Sequence, residues 1–355
     1  MRIRWNPKDA LARLVSSLAP IVQIVLGATA AYSISHYGLG HTVPLLAVTV
    51  TITTLGFTRD ARPRRLIETA AGMILGIAIS EVLLVTIGQG VWQMALTLFI
   101  CLAVARSISG SASFALTVGI QAMLVHWLPA PEGGMFFRSI DGLVGGLTAL
   151  AVTALIPRDP RRLAHKDAAQ LFDVFLQTLG QVRQALINRD FRVADAALVR
   201  VRRSQPLLDN WRMSLDSAVA ISRISPFLRK HRDELQGQLR LMRGMDLATR
   251  NLRVIVRRID FLMRDGVARP YLADLLEQIE DAVRSLESGL VDPANLEVAQ
   301  DQLIEIIHQL DPRRFGIADQ LREASVLLLL RPMLVDLLCA SGMHEDDARA
   351  ELPPV

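Results

Sequence analysis

Six apolar runs crowd into the first 157 residues, and no other feature restricts the fold as strongly: they cover 18–37, 39–57, 66–88, 91–108, 112–128 and 140–156. Each is close to the ~20 residues an α-helix needs to cross about 30 Å of hydrocarbon. Backbone surrounded by lipid must satisfy its own N–H and C=O groups, so runs of this length specify helices. The expected fold class is all-α: a six-helix transmembrane domain over 1–162, then a helical cytoplasmic domain over 163–355.

Charge divides the chain at the same place. Only ten of the 39 Lys/Arg and six of the 35 Asp/Glu precede residue 158, so the formal net charge of +4 belongs to the apolar part. The remainder is balanced and lacks the basic excess of a nucleic-acid binder, so no nucleic-acid partner is expected. The first apolar run is too long for a signal-peptide core and reads as a first span. Cys101 and Cys339 form neither a disulfide framework nor a metal-ligand pattern, and the seven histidines are scattered; no metal and no cofactor is expected.

Orientation follows from basic residues near span ends, which stay on the cytoplasmic side. Arg2, Arg4, Lys8, Arg13, Arg59, Arg62, Arg64, Arg65, Arg106, Arg158, Arg161 and Arg162 fall on one side, and Arg138 alone on the other. Both termini are therefore expected in the cytoplasm, and the membrane is expected to be the bacterial inner one.

Beyond Asp167 the pattern changes to amphipathic helix, with Leu171, Phe175, Leu179, Val182 and Leu186 on one stripe. Pro206, Pro226, Gly266 with Pro270, Pro293 and Pro312 divide the rest into six or seven helices, Asp292-Pro293 reading as an N-cap and first helical residue. The apolar stretch 324–338 is short for a span and has Arg331-Pro332 at its centre, which predicts a buried helix pair. Around Arg200–203 and Arg250–258, flanking acids predict solvated or paired helix faces.

Two passages carry a family resemblance. One is Arg65, Glu68, Thr69, Gly72 and Gly76, opening the third span; the other is Arg138, Asp141, Gly142, Gly145 and Gly146, running to Ile156-Pro157. In this order, within six spans and ahead of a helical domain, they resemble the bacterial aromatic acid exporter and fusaric acid resistance families, which are similar in plan to plant aluminium-activated malate transporters. The resemblance implies export of small organic anions, typically aromatic carboxylates. Longer relatives carry two such units, and this chain shows one, so a homodimer in the lipid bilayer is implied.

No phosphate-binding loop, nucleophile elbow or zinc-type His pair is present, and an enzymatic activity is not expected. Gly72/Gly76 and Gly142/Gly146 lie one turn apart and suit close helix packing. Glu68 shares the Gly72/Gly76 side near the cytoplasmic end, where Arg65 or Arg62 can neutralise it. Glu81 lies ~20 Å further along the same helix, inside the outer hydrocarbon, where an ionisable group is a functional candidate. Glu81, His126, Arg138 and Asp141 form an outer-side candidate cluster: a proton or anion station with Glu81 or His126 titrating and Arg138 holding a carboxylate, or an Arg138–Asp141 pair that only locks the sixth helix. Arg59, Arg62, Arg64, Arg65 and Arg106 form a candidate basic mouth on the cytoplasmic side. An anion channel of the same architecture and a membrane-anchored scaffold or sensor remain the alternatives to a transporter.

Overall fold

The computed structural model describes residues 7–56, 63–128, 136–155, 160–225 and 231–354, and every regular element among them is helical. The chain forms two compact units, Met1–Arg158 with Ala220–Lys230, and Asp159–Val219 with His231–Val355.

The first unit contains α1 (Pro7–Ser33), which continues as a π-helical turn (Ile34–Gly38), then α2 (Leu45–Leu55), α3 (Pro63–Ile87), α4 (Val91–Ile108), α5 (Ala112–Trp127) and α6 (Phe137–Leu155). Four of its helical segments, Ser17–Gly38, Arg64–Ile87, Val91–Ile108 and Phe137–Leu155, are long and apolar enough to cross a membrane. The inside-out distribution of side chains agrees with a lipid surround: Val91, Trp92, Phe99 and Leu116 point outward, whereas Ala47, Cys101, Ala105 and Ala122 are buried. In lipid, outward apolar groups cost nothing, and small residues let backbones approach.

The second apolar run departs from the sequence expectation of a helix over 39–57. Its helix has 11 residues, about 16 Å of rise, because Gly40 takes a left-handed φ of 75°, Pro44 precedes the first turn and Gly56 ends the last one at φ 44°. The non-helical stretch ahead of it meets its own backbone needs: Gly40 N donates to His36 O and His41 N to Ser35 O, both at 3.1 Å. At 16 residues, α5 is also short of a full span.

Glycines set the spacing of this bundle, in which α3 packs along α5 and α6 and α2 along α6. A Cβ on Gly145 would stand 2.4 Å from Ala47 O, and one on Gly76 2.7 Å from Val118 O. Thr51 Oγ1 donates toward Gly145 O at 3.0 Å and Ala47 O at 2.7 Å, a bond that only so close an approach permits.

The second unit contains α7 (Pro160–Asn188), α8 (Phe191–Arg202), α9 (Gln205–Ile224) up to Val219, α10 (Arg232–Leu262), α11 (Pro270–Ser288), α12 (Ala294–Ile307), α13 (Leu321–Ser341) and α14 (Glu345–Ala350). The stripe Leu171, Phe175, Leu179, Val182 and Leu186 is wholly buried in its core. Asp292 Oδ1 accepts from Ala294 N at 3.1 Å and Pro293 is helical at φ −56°, so Asp292 caps the start of α12. The arginine-rich faces are partly paired and partly solvated: Arg200 donates to Gln177 and Gln181, Arg250 reaches Asp246 together with Arg212, Arg253 donates to Val201 O and Ser204, and Arg202 and Arg203 are exposed.

No break divides 324–338 into a helix pair. α13 runs unbroken through Pro332, whose ring sits on the exposed side of the helix, while Leu327, Leu330, Met333, Leu334, Leu337 and Leu338 are buried in the unit's core. By length and composition α13 could cross a membrane. Its interior Arg331 and Asp336 would together add roughly 5 to 7 kcal/mol to insertion at a span centre. Here Arg331 donates to Pro353 O at 2.6 Å and Asp336 accepts from Asn251 Nδ2 at 2.6 Å.

Burial pushes the Asp336 carboxyl up to about 6, with the Asn251 bond opposing and Glu345 adding to the rise. The folded state thus holds this proton more tightly than the unfolded chain, and stability falls as pH rises from 3.8, the ordinary value, toward about 6. Asp336→Asn keeps an acceptor for Asn251, so it should raise the unfolding temperature of the second unit at about pH 7.5 and leave it nearly unchanged at about pH 4. An equal gain at both values would remove ionisation of Asp336 as the cause.

Candidate functional site

The buried charged residues and histidines of the first unit, His41, Glu81, His126, Arg138 and Asp141, gather at the end of the bundle where α3 and α5 stop and α4 and α6 begin. α6 starts without a local cap: Phe136 accepts the first helical hydrogen bond, from Ile140 N, but its side chain offers no acceptor, and it holds a φ of 72°. Glu81 supplies the cap from α3. Its carboxyl accepts from Arg138 N and Ser139 N, both at 3.1 Å, and from Ser139 Oγ. These are the second and third helical residues of α6, whose N–H groups a capping side chain normally satisfies.

Arg138 serves the opposite kind of helix end. Its guanidinium donates to Val125 O at 2.7 Å and Leu128 O at 2.9 Å, carbonyls that the end of α5 leaves unpaired. Gln89 Nε2 takes a third, His126 O, at 3.2 Å. Glu81 and Arg138 attract each other as well, so a negative group on a helix start and a positive group on a helix end form one electrostatic unit.

The outer-side candidates therefore do come to one end of the bundle, but not in the pairs that their spacing suggests. Asp141 does not pair with Arg138 one turn earlier: His41 Nδ1 donates to Asp141 Oδ1 at 2.7 Å. His126 Nε2 donates to Gly90 O at 3.1 Å in the turn between α3 and α4. Glu81, His126, Arg138 and Asp141 are each no more than 6% exposed. Charges one turn apart on α6 do not pair with each other because helix ends, with four unpaired groups each, compete better for them.

His41, Ser139 and Gln89 are absent from the sequence-based cluster. A histidine inside Gly40-His41-Thr42-Val43-Pro44 was the available signal, since Gly and Pro mark a turn and place its side chain at a span end. Deeper in the bundle, Gln121 is buried; its Nε2 donates to Met73 Sδ at 3.4 Å, and its Oε1 meets no partner among the described residues.

At the other end, Glu68 is exposed and pairs with Arg64 at 2.9 Å, not with Arg65, while Gly72 and Gly76 are buried. Arg106 donates to Gly110 O at 2.7 Å, closing the end of α4. Arg65 is exposed; Arg59 and Arg62 lie outside the described residues. Gly72 faces the Phe114 ring, Gly142 faces Ile77 and Gly146 faces Ala70, which places all four predicted packing glycines at helix contacts. Among the described residues no group of His, Cys, Asp and Glu is arranged to hold a metal ion.

An uncharacterized protein of Corynebacterium glutamicum is 28% identical over 357 residues, covering 98% of this chain and 91% of that protein, so the similarity runs through both units. Residues 26–152, which include α2 to α5 and nearly all of α6, match the family model described as fusaric acid resistance protein-like. That region holds both glycine-bearing passages and the whole capped cluster, and the helices around it are those of a multi-pass membrane protein: residues 26–152 are similar to the fusaric acid resistance protein-like family.

Proposed function

We propose that this chain is an inner-membrane transporter that exports small organic anions, aromatic carboxylates first among them, without nucleotide chemistry of its own. The family's name, which refers to resistance to a carboxylic acid, supports the substrate class. The observation that carries the reading is the buried polar content of an otherwise lipid-facing bundle: Glu81, Arg138, Asp141, His41 and His126 at one end, and Gln121 with an unpartnered acceptor further in. Ionisable and polar groups are expensive in hydrocarbon and are retained where a solute or ion passes.

In this reading the termini and the second unit are cytoplasmic, as the basic-residue asymmetry requires. Two copies pair across apolar faces, since one unit is half of the longer plan. Arg64, Arg65 and Arg106 raise the local concentration of anions at the inner mouth.

The test is flux of 4-hydroxybenzoate into sealed vesicles containing the purified full chain. Uptake that follows an imposed proton gradient, with no dependence on added nucleotide, is the expected result. A reversal potential set by the anion gradient alone would mean a channel; no flux of any aromatic acid, with the protein folded, would sink the transport reading and leave a membrane-anchored scaffold.

A further inference from the structure

Glu81 and His126 are both committed to backbone in the folded bundle, Glu81 to the start of α6 and His126 to Gly90. His41 and Asp141 are arranged differently. The carboxyl oxygen of Asp141 accepts from His41 Nδ1, so the lone pair of the neutral ring sits on Nε2, which meets no hydrogen-bond partner among the described residues. The ring is buried and stacks on Phe137 with centroids 4.2 Å apart, which holds its orientation.

Bonds from His41 run to both sides of the bundle end. Toward α6 it bonds Asp141. Toward α1 its backbone is tied to the π-helical turn: His41 N donates to Ser35 O at 3.1 Å, and His36 Nδ1 donates to His41 O at 2.7 Å. π-helical turns are rare and recur at functional sites. Among the described residues, the other titratable or charged groups at this end of the bundle are His36, Arg138, Glu81 and His126, with Tyr32 and Tyr37 beside His36. His36 stacks against Tyr32 and meets Tyr37 edge-on; Arg138 and Glu81 sit at the start of α6 and offset each other; α2, Leu45–Leu55, carries no titratable side chain.

We infer that the His41–Asp141 pair is the proton-binding station of the transport cycle. This rests on the transport reading and specifies its coupling site. A proton from the aqueous side bonds to His41 Nε2, the pair changes from net −1 to neutral, and the proton later leaves from the same atom. A carboxylate leaving past this end is repelled by the unprotonated pair and not by the protonated one, which links proton entry to anion exit.

Two readouts on the full chain separate the possibilities. In lipid nanodiscs with ¹⁵N-histidine, the imidazole assigned through its loss in His41→Gln should gain and lose a proton over the pH range in which flux changes, and Asp141→Asn, which removes the ring's carboxylate partner, should displace that range. In sealed vesicles, 4-hydroxybenzoate flux should follow the same range and shift with it in Asp141→Asn. His41→Gln, which keeps a donor for Asp141, should flatten the pH profile of flux at least tenfold. Where His41→Gln does not fold, the Asp141→Asn shift decides alone. Wild-type flux whose pH profile is unchanged in a folded variant overturns the station and leaves transport standing; no wild-type flux overturns both.

Discussion

Glu81→Ala should lower the stability of the membrane bundle by roughly 3 to 5 kcal/mol, since it strips partners from two backbone N–H groups and a hydroxyl in a low-dielectric setting. The three donors are Arg138 N, Ser139 N and Ser139 Oγ, and Phe136 at the N-cap has nothing with which to replace the lost acceptor. Arg138 loses the attraction of Glu81 in the same step. Glu81→Gln retains one carbonyl oxygen and should fall between wild type and Glu81→Ala. Thermal unfolding of the purified full chain in one detergent, followed by helical circular dichroism, measures the series. A Glu81→Ala protein that unfolds at the wild-type temperature would show that the cap contributes nothing. Its behaviour also separates Glu81 from the proposed proton station, because a folded Glu81→Gln protein should keep the pH profile that His41→Gln loses.

The glycine substitutions should give the second large effect, graded by what each new methyl group meets. Gly145→Ala places its methyl 2.4 Å from the carbonyl oxygen of Ala47, and Gly76→Ala 2.7 Å from that of Val118. Backbone cannot turn aside as a side chain does, so helices must separate, at a cost of about 3 kcal/mol or more. Separation also breaks the Thr51 bond to Gly145 O. Gly72→Ala meets the Phe114 ring and Gly142→Ala the tip of Ile77, side chains that can move, so their losses should be smaller. Gly110→Ala, with nothing within 4 Å, is the neutral control. Folded yield and unfolding temperature should rank Gly145→Ala and Gly76→Ala lowest; a Gly110→Ala protein less stable than Gly145→Ala would contradict the packing argument.

Much of this molecule is legible without coordinates because lipid imposes a rule that acts one helix at a time. An apolar run of sufficient length must close its own hydrogen bonds, so α3, α4 and α6 begin and end within three residues of the runs in the sequence. The same local logic marks Gly72, Gly76, Gly142 and Gly146 as contact positions, and the stripe from Leu171 to Leu186 as the buried face of α7. Local rules also misjudge two runs. The second run shortens because Gly40, Pro44 and Gly56 act inside it, and 324–338 continues through Pro332 because its leucines have a core on which to pack.

Partner choice is a different matter. Sequence spacing places Arg138 and Asp141 one turn apart and invites a pair, and it sets Glu68 near Arg65; neither pair forms. Which donor meets which acceptor depends on where unsatisfied helix ends lie in space, and those positions arise only when α3, α5 and α6 pack together. Tertiary structure alone therefore gave Glu81 to the start of α6, Arg138 to the end of α5, and Asp141 to a histidine 100 residues earlier in the chain.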